Sequence, residues 1–151
     1  MSSRHILLIE DDSKKAQDIK ALINQLLPSA MLTEVSTIQD AKKQLRRQSF
    51  DLAIVDMALA GRPSLQGKGN PTQFPNGGLE ILRTIAARDL ETKAIVITQF
   101  PTVDLEKETV DLKNLKHKME ILLGERFLSS ILYQPADKIW EEQFKKSLDL
   151  L

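Results

Sequence analysis

"HILLIEDDSKK" occupies residues 5–15, and its reading decides the fold. Four apolar residues, Ile6 to Ile9, run directly into Glu10, Asp11 and Asp12. An unbroken apolar run with β-branched residues at both ends reads as a strand buried on both faces. Three adjacent carboxylates at its end repel one another, and each must be solvated or paired. Something positive is therefore expected beside them.

The segments that follow repeat the same logic. Ser13 is placed to cap a helix in which Ala16, Ile19, Leu22, Ile23 and Leu26 share a face, and Pro28 lies just past its end. Residues 31–36 alternate as a strand, and Thr37 can cap a helix with Ile38, Ala41 and Leu45 inward. "FDLAIVDMAL" (50–59) is a third strand, again apolar on both faces, and "GGLEILRTIAARD" (77–89) is a helix with Leu79, Leu82 and Ile85 or Ala86 inward. Residues 93–100 read as a fourth strand. Residues 111–124 form a helix carrying Leu112, Leu115, Met119 and Leu122 and ending at Gly124. Residues 129–133 are a fifth strand, and the last helix turns Ile139, Trp140, Phe144 and Leu148 inward.

Strand and helix thus alternate five times. Apolar strands between amphipathic helices predict an α/β fold: a doubly wound, five-stranded parallel sheet covered on both faces, in three α/β/α layers. The functional crevice of such a sheet lies at the C-terminal ends of its strands, where the strand order reverses.

Composition bounds the function. The chain has 151 residues, enough for one domain spanning 1–151 with a real core. Its 21 basic and 21 acidic residues cancel, so no basic surplus points to nucleic acid as the main partner. With no cysteine there is no disulfide scaffold and no thiolate metal site, which fits a reducing compartment. The N-terminus does not read as a signal peptide, and no stretch approaches the ~20 apolar residues of a membrane span. A cytoplasmic protein without membrane contact is expected.

Strand ends supply the candidate site. Glu10 and Asp11 end the first strand, Asp56 the third, Thr98 the fourth, and Tyr133-Gln134-Pro135 follow the fifth. If the first and third strands are neighbours, three carboxylates converge. A hard divalent cation, Mg²⁺ or Mn²⁺, suits such an oxygen-only set and is the positive charge expected there. His5 and His117 have no partner at ligand spacing and read as surface residues, and "GKGNP" lacks the spacing of a phosphate-binding loop.

"ILLIEDDSKKAQDIKALI", "DLAIVDMAL", "GGLEILRTI" and "AIVITQF" together resemble the receiver (CheY-like) domain of two-component response regulators, whose fold is flavodoxin-like. The resemblance implies that Glu10 and Asp11 hold Mg²⁺ and that Asp56 accepts a phosphoryl group from a histidine kinase or phosphotransfer protein. It further implies that the backbone carbonyl of Ala58 completes the metal site and that Thr98 senses the phosphoryl group. Signalling would then run by contact with a downstream protein, or through a homodimer, rather than by enzymatic turnover.

Several departures surround that site. Where the family has a lysine before a proline at the end of the fifth strand, this chain has Gln134, which carries no charge. Lys68 could reach over from elsewhere, and Gln99 stands where the family has a small gating residue. Ile131 takes the place of the switch aromatic. Residues 59–78, with five glycines and three prolines, form a long insertion, read as a surface loop or a lid, and 101–126 is an atypical helix-four region. Two functions are consistent with this pattern: a working phosphoacceptor, or a pseudo-receiver that binds proteins without phosphorylation. A nucleophilic-aspartate hydrolase is disfavoured, because the position two after Asp56 is Ala58 and cannot serve as acid or base.

Overall fold

The computed structural model describes residues 3–60, 73–74, 77–88, 90–105 and 108–151. Five strands form one parallel sheet: β1 (His5–Ile9), β2 (Met31–Val35), β3 (Leu52–Val55), β6 (Lys93–Thr98) and β9 (Phe127–Leu132). Their order is β2-β1-β3-β6-β9, with Ile9 opposite both Val35 and Val55, and Val55 opposite Val96. The sheet reverses direction of growth between β1 and β3, which puts the switch point where the acidic residues are.

Two-residue alternation divides the core. Ile6, Leu8, Leu52, Ile54, Ile95 and Ile97 point into the layer formed by α1 (Ser13–Leu26) and α5 (Ile139–Leu148). Leu7, Ile9, Ala53, Val55, Ala94 and Val96 point into the layer of α2 (Ile38–Arg47), α3 (Gly77–Ala87) and α4 (Leu112–Leu123). Strands buried from both sides explain their unbroken apolar sequences.

Local chemistry corrects several expectations. The N-cap of α1 is Asp12, not Ser13; its carboxylate accepts the Lys15 N–H at 3.1 Å. Thr37 caps α2 as expected. The third strand stops at Val55, and Leu59–Ala60 (β4) pairs antiparallel with Gln73–Phe74 (β5). The reading of 59–78 as a long loop or lid otherwise lies outside the described residues. In α5, Ile139 is exposed, and Trp140, Phe144 and Ser147 face inward.

Ahead of α4, within the segment 101–126 read from sequence as an atypical helix-four region, lies an antiparallel hairpin, β7 (Thr102–Leu105) and β8 (Glu108–Asp111). The alternation is visible in "TVDL" and "ETVD": Val103, Leu105 and Val110 are buried against the α3–α4 layer while Thr102, Asp104 and Thr109 face solvent. His5 is half-buried rather than on the surface, tilted against the Phe50 ring at 4.5 Å. It sits at the end of β1 opposite the acids. No helix among the described residues is long and apolar enough to cross a membrane.

Candidate functional site

The same alternation aims the acids. Glu10 continues the phase of Ile6 and Leu8, and Asp56 that of Leu52 and Ile54, so both lie on the side of the sheet covered by α1. Backbone pairing extends through both residues: Glu10 N–H donates to the Val35 carbonyl at 3.0 Å and Asp56 N–H to the Ile9 carbonyl at 3.2 Å. Glu10, Asp11 and Asp56 each bring a carboxylate oxygen to within 4.8 Å of the others. Glu10 and Asp56 are buried and Asp11 is exposed.

A lysine completes the cluster. Lys15, in the first turn of α1, is 1% exposed. Its Nζ lies 2.6 Å from Glu10 Oε1 and 3.4 Å from Asp56 Oδ1, and 6.0 Å from the centre of the Tyr133 ring. None of these contacts has the alignment of a hydrogen bond, so the ammonium is paired with Glu10 and Asp56 chiefly by charge. The chain itself thus supplies a positive charge beside the acids. Sequence reading missed Lys15, although its position was a signal. It lies four residues before Ile19 and eight before Ile23, on the inward face of α1, where a lysine must find acids.

Burial sets the protonation of the cluster. Glu10 is pushed up to about 8, first by loss of solvent and also by the charge of Asp56, against the opposing pull of Lys15. Its Oε2 accepts the Asp12 N–H at 3.0 Å. Asp11, exposed as a residue, has a partly desolvated carboxyl that is also held above its usual range, next by Asp56. Below Lys15, the Tyr133 hydroxyl donates to Asp18, which lowers the Asp18 carboxyl; burial and that bond raise the Tyr133 phenol. Trp140 meets the Tyr133 ring edge-on at 5.1 Å.

The remaining expected residues fall around this centre. Thr98 is fully buried at the end of β6; its Oγ1 accepts the Phe100 N–H at 3.3 Å and its carbonyl accepts the Tyr133 N–H at 2.7 Å. Ala58 N–H approaches Asp56 Oδ1 at 3.4 Å. Gln99 is exposed. Gln134 is also exposed, in a turn where its carbonyl accepts the Asp137 N–H at 3.2 Å. Ile131 is buried in the α1–α5 layer. Lys68 lies outside the described residues. Gly78 was not singled out from sequence, yet it holds α3 against the loop after β3. Its N–H donates to the Met57 carbonyl at 2.9 Å, and a Cβ there would come within 2.4 Å of the Asp56 carbonyl oxygen.

The donor set fits a hard divalent cation. All three ligand groups are carboxylates that bring oxygens within 4.8 Å of one another, the oxygen-only donor set such an ion takes.

No protein-family model matches the chain. It is 28% identical over 141 residues to the Detocs response regulatory protein DtcB of Vibrio alginolyticus, covering 91% of this chain and 95% of that protein. Among solved structures it is similar to the signal receiver domain of an HD domain-containing protein from Pseudomonas fluorescens Pf-5, with a TM-score of 0.63, 21% identity, and 98% and 93% of the two chains covered. It is also similar to a CheY-like response regulator receiver domain from Methylobacillus flagellatus, with a TM-score of 0.56, 20% identity, and 97% and 99% covered.

Proposed function

For a chain with the receiver-domain fold of response regulators, we propose that Asp56 accepts a phosphoryl group and that the acidic cluster holds Mg²⁺ for that step. One observation carries the reading: Glu10, Asp11 and Asp56 converge within 4.8 Å at the switch point of the sheet. Glu10, Asp11, Asp56 and the Ala58 carbonyl would hold the cation. When bound, it would cancel carboxylate charge and take up charge developing on the phosphoryl oxygens.

The chain's own residues do the rest. An Asp56 carboxylate oxygen forms the bond to phosphorus as the P–N bond of a phosphohistidine donor breaks. The bonding pair leaves on the imidazole nitrogen, which takes up a proton. The donor would be a histidine kinase or a phosphotransfer protein. Thr98 supplies a buried hydroxyl on the neighbouring strand. If it turns to the phosphoryl oxygens, it releases the Phe100 N–H that it now holds. Phe100 is half-exposed, so this change would reach the surface that a downstream protein could read.

A second reading, a phosphorylation-independent binding module, is favoured by the exposed Gln134 and by the Lys15 ammonium already paired with the acids. Amide NMR with Mg²⁺ and then beryllofluoride, with Asp56→Asn as control, separates the two. The phosphoacceptor reading expects shifts at residues 10, 11, 56 and 98 that extend to 99–135. Shifts with Mg²⁺ alone, or none at all, would overturn it in favour of the binding module.

A further inference from the structure

Building on the phosphoacceptor reading, we infer that Lys15, delivered from the first turn of α1, is the cation that neutralises the phosphoryl group on Asp56. In this chain the charge comes from a helix under the sheet edge and not from the strand end, where Gln134 stands.

Three observations carry this. The first is position: Lys15 Nζ lies 3.4 Å from Asp56 Oδ1 on the nucleophile itself, so a phosphoryl group added to that carboxylate enters the ammonium's contact range. The second is availability. Nζ is fully buried and aimed into the cluster, yet has no aligned hydrogen bond. An ammonium has three donors, and the two carboxylate oxygens near this one do not align with all of them, so a phosphoryl group, with three strong acceptor oxygens, offers partners it lacks. The third is enforcement. Lys15 cannot swing out to solvent, because Glu10 lies at 2.6 Å on one side, the Tyr133 ring lies beneath, and α1 fixes its backbone through the Asp12 cap. Tyr133 is in turn anchored by its bond to Asp18 and by Trp140. A preset charge needs no reorganisation when negative charge develops, which is where such groups contribute most to rate.

Among the described residues no other lysine stands in this cluster. Gln134 is exposed, and its backbone carbonyl is tied into the following turn. Lys15 is thus the cationic counterpart of the acids on this side of the sheet.

The test compares wild type, Lys15→Met, Gln134→Lys and the double variant, each in the full chain with folding checked by circular dichroism. Two readouts are taken: beryllofluoride affinity from Trp140 fluorescence in Mg²⁺, and covalent phosphorylation by phosphoramidate, read by intact mass. Mg²⁺ affinity is measured separately. The expected result is a loss of phosphoryl-analogue affinity and phosphorylation rate in Lys15→Met of about 10²-fold, the usual loss for one charge-stabilising donor. Mg²⁺ affinity should be kept or raised, since a competing positive charge is gone. The double variant should recover at least tenfold over Lys15→Met, because the strand-end lysine then supplies the charge.

Phosphorylation of Lys15→Met at the wild-type rate overturns the inference, and so does a parallel loss of Mg²⁺ affinity with no recovery in the double variant, which would make Lys15 a structural counter-ion only. Should Lys15→Met not fold, Gln134→Lys alone decides: a gain under threefold supports a charge already in place, and any larger gain overturns it. A wild-type chain inert to both reagents defeats the phosphoacceptor reading itself, and this inference with it.

Discussion

Gly78→Ala measures how tightly the functional edge is built. Gly78 lies in the first turn of α3, where alanine is ordinarily the better residue by ~0.5–1 kcal/mol. Its backbone needs no positive φ; among the described glycines only Gly124 has one. Propensity alone therefore predicts stabilisation. The space around it predicts the opposite. A Cβ would meet the Asp56 carbonyl oxygen at 2.4 Å, the Met57 Cα at 2.8 Å and the Asp56 carbonyl carbon at 3.0 Å, all of them backbone atoms. None can move by a side-chain rotation, so α3 or the loop after β3 must shift, at the ~1–3 kcal/mol typical of overpacking. At the middle of both ranges the clash outweighs the propensity gain by about 1 kcal/mol, which for a chain of this size lowers Tm by roughly 2–4 °C. Gly77→Ala is the internal control. Its nearest atoms are the Leu59 carbonyl oxygen at 2.9 Å and two side-chain carbons, Leu59 Cβ at 3.0 Å and Ile38 Cδ1 at 3.1 Å, so its cost is smaller. Calorimetry on both variants, with amide spectra to locate the displacement at residues 56–58, is the assay. A Gly78→Ala protein as stable as wild type would refute the close approach of α3 to Asp56.

Two further outcomes follow from the cluster. Glu10 is raised from about 4.5 when unfolded to about 8 when folded, so the folded state holds its proton longer. Its contribution to stability is complete below about pH 4.5 and is lost as pH rises to about 8, by up to ~1.4 kcal/mol per pH unit in that window. Urea unfolding in EDTA should show wild type losing stability relative to Glu10→Gln as pH rises from 5 to 8; parallel curves would contradict this. Asp12→Ala removes the carboxylate that caps α1 and should cost about 1 kcal/mol in urea unfolding, with Asp12→Asn restoring most of it. A neutral Asp12→Ala would mean that the first turn holding Lys15 does not depend on the cap.

Much of this molecule was legible in its sequence because apolar periodicity is local. Ile6–Ile9 and Leu52–Val55 read as strands buried on two faces, and strands alternating with amphipathic helices imply a parallel sheet. That topology in turn predicts the convergence of Glu10, Asp11 and Asp56, since they end neighbouring strands. The hairpin at 102–111 has a readable alternation, but its strands of four residues each lie in the charged stretch read as an atypical helix-four region. What tertiary structure alone decided was the partner of the acids. Lys15 sits four and five residues beyond Asp11 and Glu10 in the chain, yet its ammonium meets Glu10 and Asp56 only because α1 packs on the face to which both carboxylates point. The sequence determined that a positive charge was required at this edge; helix packing determined that a buried lysine would supply part of it, because α1 carries Lys15 onto the face where burial makes the charged forms of Glu10 and Asp56 costly without a partner.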